Sequence, residues 1–133
     1  MTGEGDRLSL GDQAFAKVME RRVFPAEAVI FKEGDAAREA FIILRGEVDI
    51  VSVNAAKQRV VLTTLRKGQL FGDLALMAES RRTASAIART PCEVMALSQE
   101  VLKKKLEAAD PLLRFWVSYL GERVIALSKR AAS

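Results

Sequence analysis

The sequence predicts an α+β domain, an antiparallel β jelly-roll barrel flanked by an N-terminal helix and two C-terminal helices. Three observations predict it. Short apolar or alternating runs recur between about residues 22 and 98, and turn signals at Gly34, Gly46, the polar stretch 54–58 and Gly68 separate them. Toward both ends the apolar residues fall at helical spacing instead. Strands this short and this evenly punctuated are satisfied by a barrel or jelly roll, which leaves few open edges. At 133 residues, 50% hydrophobic and 29% charged, the chain is expected to be one domain over 1–133, with the barrel at about 22–98 and lid helices at about 99–130.

Taken in order, Asp12 is positioned to cap a helix in which Phe15, Val18 and Met19 fall at i, i+3 and i+4, ending near Arg22. From Val23 the period becomes strand-like: Val29-Ile30-Phe31 is rich in β-formers and Glu33-Gly34-Asp35 reads as a turn. Ala40 to Leu44 is a compact apolar run, Gly46 marks a bend, and Glu47 to Val53 alternates. Asn54 to Gln58 returns the chain into a strand over Arg59 to Leu65, and Arg66-Lys67-Gly68 turns it again. Thr83 to Ala88 and Glu93 to Leu97 are two further strands, which brings the count to seven or eight. Ser98 caps a helix from Gln99 to about Ala108, and Asp110-Pro111 starts a last one that runs to about Lys129. In its first half apolar residues nearly encircle that helix. The stripe Leu113, Trp116, Val117 and Leu120 is expected to rest on the barrel as a lid, with the other side free to cover a surface or pair with a second copy.

Composition narrows the function. The chain has no histidine, which removes the commonest general base and metal ligand, and no second positioned acid is visible. An enzyme is not expected, and neither is a metal or other cofactor. The single cysteine, Cys92, excludes an internal disulfide and follows Pro91 in an apolar strand, where it reads as a small buried hydrophobe. No apolar run approaches the roughly 20 residues of a membrane-spanning helix, and the N-terminus lacks a signal peptide's basic start and apolar core. A cytoplasmic location is expected. The net charge of +4 is uneven: residues 1–65 hold nine basic and ten acidic side chains, residues 66–133 twelve and seven. A field of that size steers a small anion inward. Without a helix-turn-helix or aromatic stacking platforms, nucleic acid is not an expected partner.

The stretch from Phe71 to Ser85, FGDLALMAESRRTAS, combines a glycine turn, a carboxylate and a forked cation. Gly72 can bring backbone close to a ligand, and Asp73 to Met77 should form one helical turn with free N–H groups. Those donors attract a phosphate, and Arg82 can add two parallel N–H bonds to its oxygens. With the phosphate as its partner, Arg82 is expected to matter little to the stability of the empty fold.

This stretch resembles the phosphate-binding cassette of the cyclic nucleotide-binding domain family, whose pattern is FGE-(L/I)-A-L, a short spacer, then R-(A/S/T)-A. The match runs through Phe71, Gly72, Leu74, Ala75, Leu76, Arg82, Thr83 and Ala84, and Asp73 stands where the family has Glu. Glycines 34, 46, 68 and 72 also fall at the family's turns, so the resemblance covers about Phe15 to Lys129 and is nearest to prokaryotic regulatory members. It implies a regulatory module that binds cyclic AMP or cyclic GMP and transmits occupancy through its last helix to an effector protein or domain. The family acid takes the ribose 2′-hydroxyl, so Asp73, one methylene shorter, must approach further or work through water. The resemblance also implies a base contact for Thr83 and another for Arg123, which continues the expected lid stripe. The alternative is a degenerate cyclic nucleotide-binding fold that acts as a nucleotide-independent protein-interaction module.

Overall fold

A computed structural model describes residues 18–77 and 80–132. These form β1 (Glu20–Phe24), β2 (Val29–Phe31), β3 (Glu39–Arg45), β4 (Val48–Val53), β5 (Arg59–Leu65), β6 (Leu70–Phe71), α1 (Asp73–Met77), β7 (Ser85–Ala88), β8 (Cys92–Ser98), α2 (Gln99–Glu107) and α3 (Pro111–Ala132). The strands make two antiparallel four-stranded sheets, in the orders β1-β8-β3-β6 and β2-β7-β4-β5. They face each other as a jelly roll and remain two sheets, without closing into one barrel.

Strand periodicity explains the core. Phe41 and Ile43 of β3 point between the sheets with Phe71, Val94 and Ala96, and meet Val48, Ala86 and Ala88 of the opposite sheet. Ile42, between them, points the other way and packs with Met95 and Met19 in a second cluster. Being covered on both faces, β3 reads as a continuous apolar run where a half-buried strand would alternate. Cys92 is buried, its Sγ within 3.0 Å of the Glu47 carbonyl oxygen, and burial pushes its thiol pKa up. Gly46 sits at φ +91°, where a Cβ would lie 2.3 Å from the Pro91 carbonyl oxygen, so the bend requires glycine.

Local chemistry closes the elements as the residues suggest. The Asn54 Oδ1 accepts from the amides of Ala56 and Gln58 in the β4–β5 hairpin. Ser98 Oγ accepts from Val101 N at 3.1 Å to cap α2, and Asp110 Oδ1 from Leu112 N at 2.8 Å at the start of α3.

Three expectations are corrected. The helix expected from Asp12 does not extend to Arg22: Glu20 to Arg22 belong to β1, while Asp12 and Phe15 lie outside the described residues. β1 is an edge strand, where charge is tolerated, and Arg21 pairs with Glu93 while Arg22 pairs with Glu39. Thr83 and Ala84 form a bend, and β7 starts only at Ser85. The third correction concerns α3, whose stripe Leu113, Trp116, Val117 and Leu120 faces solvent, each residue at least 40% exposed. Ser118, Gly121, Glu122 and Ile125 face the domain instead, lining a cavity of about 240 Å³ with Leu76 of α1 and Leu102 and Leu106 of α2. Small residues allow the helix to approach where bulky ones would hold it off. Among the described residues no helix is long and apolar enough to cross a membrane.

Candidate functional site

The site is built where β6 ends. Phe71 is buried in the core, and Gly72 then takes φ +76° to turn the chain into α1. A Cβ on Gly72 would lie 2.8 Å from Arg82 Nη1 and 3.3 Å from Phe31 Cε2, so its absence makes room for the guanidinium. After α1 the Ser80 amide donates to the Ala75 carbonyl at 3.0 Å, which folds the chain back toward the glycine turn. Arg82 is then held on both sides by backbone. Its amide donates to the Asp35 carbonyl at 2.8 Å, and its carbonyl accepts from the Gly34 amide at 2.8 Å.

Arg82 is 5% exposed. Its Nη1 donates to the Gly72 carbonyl at 2.7 Å and Nη2 to the Glu39 carbonyl at 2.5 Å, with the guanidinium carbon 4.0 Å from the centroid of the Phe31 ring. Phe31 in turn stacks with Phe41 and tilts against Phe71 at centroid separations of 6.1 Å. The Nε is buried and has no hydrogen-bond partner. Burial lowers the Arg82 pKa, opposed by the more distant charges of Glu39 and Asp35. The Glu39 carboxylate is turned away, onto Arg22, whose Nη1 donates to it at 2.7 Å. Among the described residues no carboxylate forms an ion pair with Arg82, so the groups in direct contact with its buried charge are carbonyl dipoles and an aromatic face.

A buried cation with an unused donor is chemically an anion acceptor. The expectation that Arg82 matters little to the empty fold meets an opposing observation: the guanidinium ties the glycine turn to β3 through two carbonyls. The structure gathers Phe71, Gly72, Asp73, Leu74, Ala75 and Arg82 into one turn-and-helix unit, with Asp73 half-buried at the start of α1. Thr83 is exposed and Ala84 half-buried beside it. Arg123 is not brought to this unit. It is exposed on α3, its Nη1 3.4 Å from Tyr119 Oη and its guanidinium carbon 5.7 Å from that ring. Phe31 and Glu39 are the site residues that sequence reasoning missed, since Arg82 meets the face of one and the backbone of the other, neither of which leaves a residue-type signature. No cluster of His, Cys, Asp or Glu suited to a metal ion occurs among the described residues.

The model of the cyclic nucleotide-binding domain matches residues 21–109. The chain belongs to this family. It is 33% identical over 81 residues to the cyclic AMP receptor protein of Thermus thermophilus, an alignment that covers 61% of this chain and 38% of that one. It is 30% identical over 99 residues to a cAMP-dependent protein kinase regulatory subunit of Pyricularia oryzae, covering 74% and 25%. The crystal structure of the Thermus thermophilus catabolite activator protein superposes with a TM-score of 0.71 at 25% identity, over 99% of this chain and 57% of that one. The chain thus spans between a quarter and somewhat over half the length of these relatives. The matched region takes in both sheets, α1 and α2, and all of α3 lies beyond it.

Proposed function

We propose that this cyclic nucleotide-binding domain is a regulatory module that takes a 3′,5′-cyclic nucleotide at the Gly72 turn and Arg82. One observation carries the reading: an arginine 5% exposed, without a carboxylate partner among the described residues and with a buried, unpaired Nε. A cyclic phosphate supplies the missing negative charge and acceptor, and the exposed Thr83 hydroxyl and the Asp73 carboxylate serve the base and ribose. The names of the relatives, a cyclic AMP receptor and a cAMP-dependent regulatory subunit, favour cyclic AMP. A hydroxyl such as that of Thr83 adds about 1 kcal/mol for guanine, so cyclic GMP binds within roughly tenfold. Binding is the whole activity in this reading, and the nucleotide is released unchanged.

Occupancy is read out through the helices. The Gln99 Nε2 at the start of α2 donates to the Leu76 carbonyl of α1 at 3.2 Å, and α1 packs against α3, so a shift of the turn moves both. Nucleotide biases α3 only as far as it binds one helix position better than the other, typically by about 1–3 kcal/mol. In the position described here Arg123 lies with Tyr119, and its contact with the base belongs to the occupied state, after α3 has turned. The outward residues Leu113, Val117, Leu120, Val124 and Leu127 are spaced 4, 3, 4 and 3 apart and are 40–60% exposed, which suits pairing with a second copy along a heptad seam. An effector protein or domain then reads that pairing.

Calorimetric titration with cyclic AMP and with cyclic GMP tests the reading. Saturable binding that Arg82→Ala abolishes is expected. If neither nucleotide binds a chain whose fold is intact, the second reading stands. In it, the bonds from Arg82 to Gly72 and Glu39 are purely structural and the fold is a nucleotide-independent interaction module.

A further inference from the structure

We propose that a cleft beside the β4–β5 hairpin binds a small zwitterion with an apolar body, an amino acid carrying a branched or aromatic side chain. The cleft has a volume of about 420 Å³, within the roughly 300–1,000 Å³ of small-molecule sites. Ile50 of β4 and Ala86 and Ala88 of β7 turn toward the core, so the neighbouring Val51 and Ile87 stand on the outer face of their sheet. Even there they are only 5% and 8% exposed. They form an apolar floor, which Val53 extends toward solvent.

Charges of both signs stand around that floor. Glu33 comes from the turn after β2, Lys57 from the hairpin and Arg59 from the first position of β5, and all three are exposed. Among the described residues no ion pair joins Glu33 to either cation, and neither cation pairs with another acid. Ser52 Oγ donates to Glu33 Oε1 at 3.3 Å, which leaves Oε2 open. The Glu33 amide donates to Ser85 Oγ at 2.9 Å, so the Ser85 hydroxyl proton is left for a ligand. Lys57 stands at φ +62°, a left-handed position that glycine or asparagine usually takes, so the turn itself does not ask for a lysine. These signs select the occupant. A simple anion would meet the two cations but face Glu33, and a simple cation would meet Glu33 but face the two cations. An α-amino acid carries an ammonium for Glu33 and a carboxylate for Arg59 and Lys57 a few bonds apart, and its side chain covers Val51 and Ile87. No aromatic side chain lines the cleft to stack a nucleobase. Neither Gly72 nor Arg82 lines it, so its filling needs no nucleotide.

The test is amide NMR of the full chain, without nucleotide, titrated with L-phenylalanine to millimolar concentration. Saturable shifts of the Gly34 and Ser85 amides are expected. Phenylpropanoate, which lacks the ammonium, and phenylethylamine, which lacks the carboxylate, should each bind at least about threefold more weakly, because each forfeits a charge pair. Glu33→Gln and Arg59→Gln should each weaken L-phenylalanine by about three- to fivefold, while Lys67→Gln and Lys105→Gln, exposed cations outside the cleft, should change it less than about 1.5-fold. Absence of a saturable shift would overturn the proposal. So would phenylpropanoate or phenylethylamine binding as tightly as L-phenylalanine, because one charge would then suffice, or equal losses from all four substitutions, which would reduce the effect to net charge.

Discussion

Replacing Arg82 by alanine should damage the empty domain as well as its ligand binding, and the structure allows both losses to be sized. In the free protein the change removes two hydrogen bonds from a charged group, to Gly72 and Glu39, together with the contact on Phe31. The bonds are worth about 1.5–3 kcal/mol each and the aromatic contact about 0.5–2 kcal/mol. Against this, alanine relieves the burial of a charge that no described carboxylate pairs, itself a cost of several kcal/mol. The net destabilisation is then about 1–3 kcal/mol, or roughly 4–12 °C in melting temperature for a domain of this size. Binding loses a charge-assisted contact to phosphate, about 2–5 kcal/mol, a factor of about 30 to 4,000 in affinity. Denaturant unfolding without nucleotide measures the first quantity and calorimetry the second. An unchanged unfolding midpoint would show that the carbonyl bonds do not form in the free protein, and cyclic AMP affinity within twofold of wild type would take the phosphate away from Arg82.

The other expectations divide between stability and binding. Gly72→Ala places a Cβ 2.8 Å from Arg82 Nη1 at φ +76°, so both the melting temperature and nucleotide affinity should fall. Unchanged affinity would show that the turn can relax away from the guanidinium. Gly46→Ala meets rigid backbone at 2.3 Å and should cost stability while sparing nucleotide affinity in whatever protein folds, as paired thermal melts and titrations would reveal. Asp73→Glu restores the longer acid and should tighten cyclic AMP binding several-fold, and a substantial loss would mean that the turn is adapted to the shorter side chain. Arg123→Ala should weaken nucleotide binding several-fold and Arg114→Ala should not, since only the first is to meet the base once α3 has turned. Equal titration curves for both would leave Arg123 as a partner of Tyr119 alone. Leu120→Asp, at the middle of the exposed seam of α3, should shift sedimentation from dimer to monomer, and a chain that is monomeric before the substitution refutes the pairing.

Local chemistry made much of this molecule legible from its residues. The caps at Ser98 and Asp110 and the Asn54 hairpin depend on contacts within a few residues, and side-chain type reports such contacts directly, as glycine reports the positive φ at 46 and 72. The doubly buried β3 announced itself as an unbroken apolar run because burial on two faces selects residue type at every position. What residue type could not settle was which way two elements face. Glu20-Arg21-Arg22 looks like the surface of a helix, and only its pairing with β8 and the acids Glu93 and Glu39 made it a strand. The apolar stripe of α3 looked like the buried side, yet the side of α3 turned toward α1 runs along the smaller residues Ser118 and Gly121, and the stripe was left in solvent. Arg82 was marked by its motif, but its burial against Phe31 and the carbonyls of Gly72 and Glu39 joins parts of the chain 10 and 43 residues away. Backbone carbonyls are the same in every residue, so a sequence holds no trace of which ones an arginine will find.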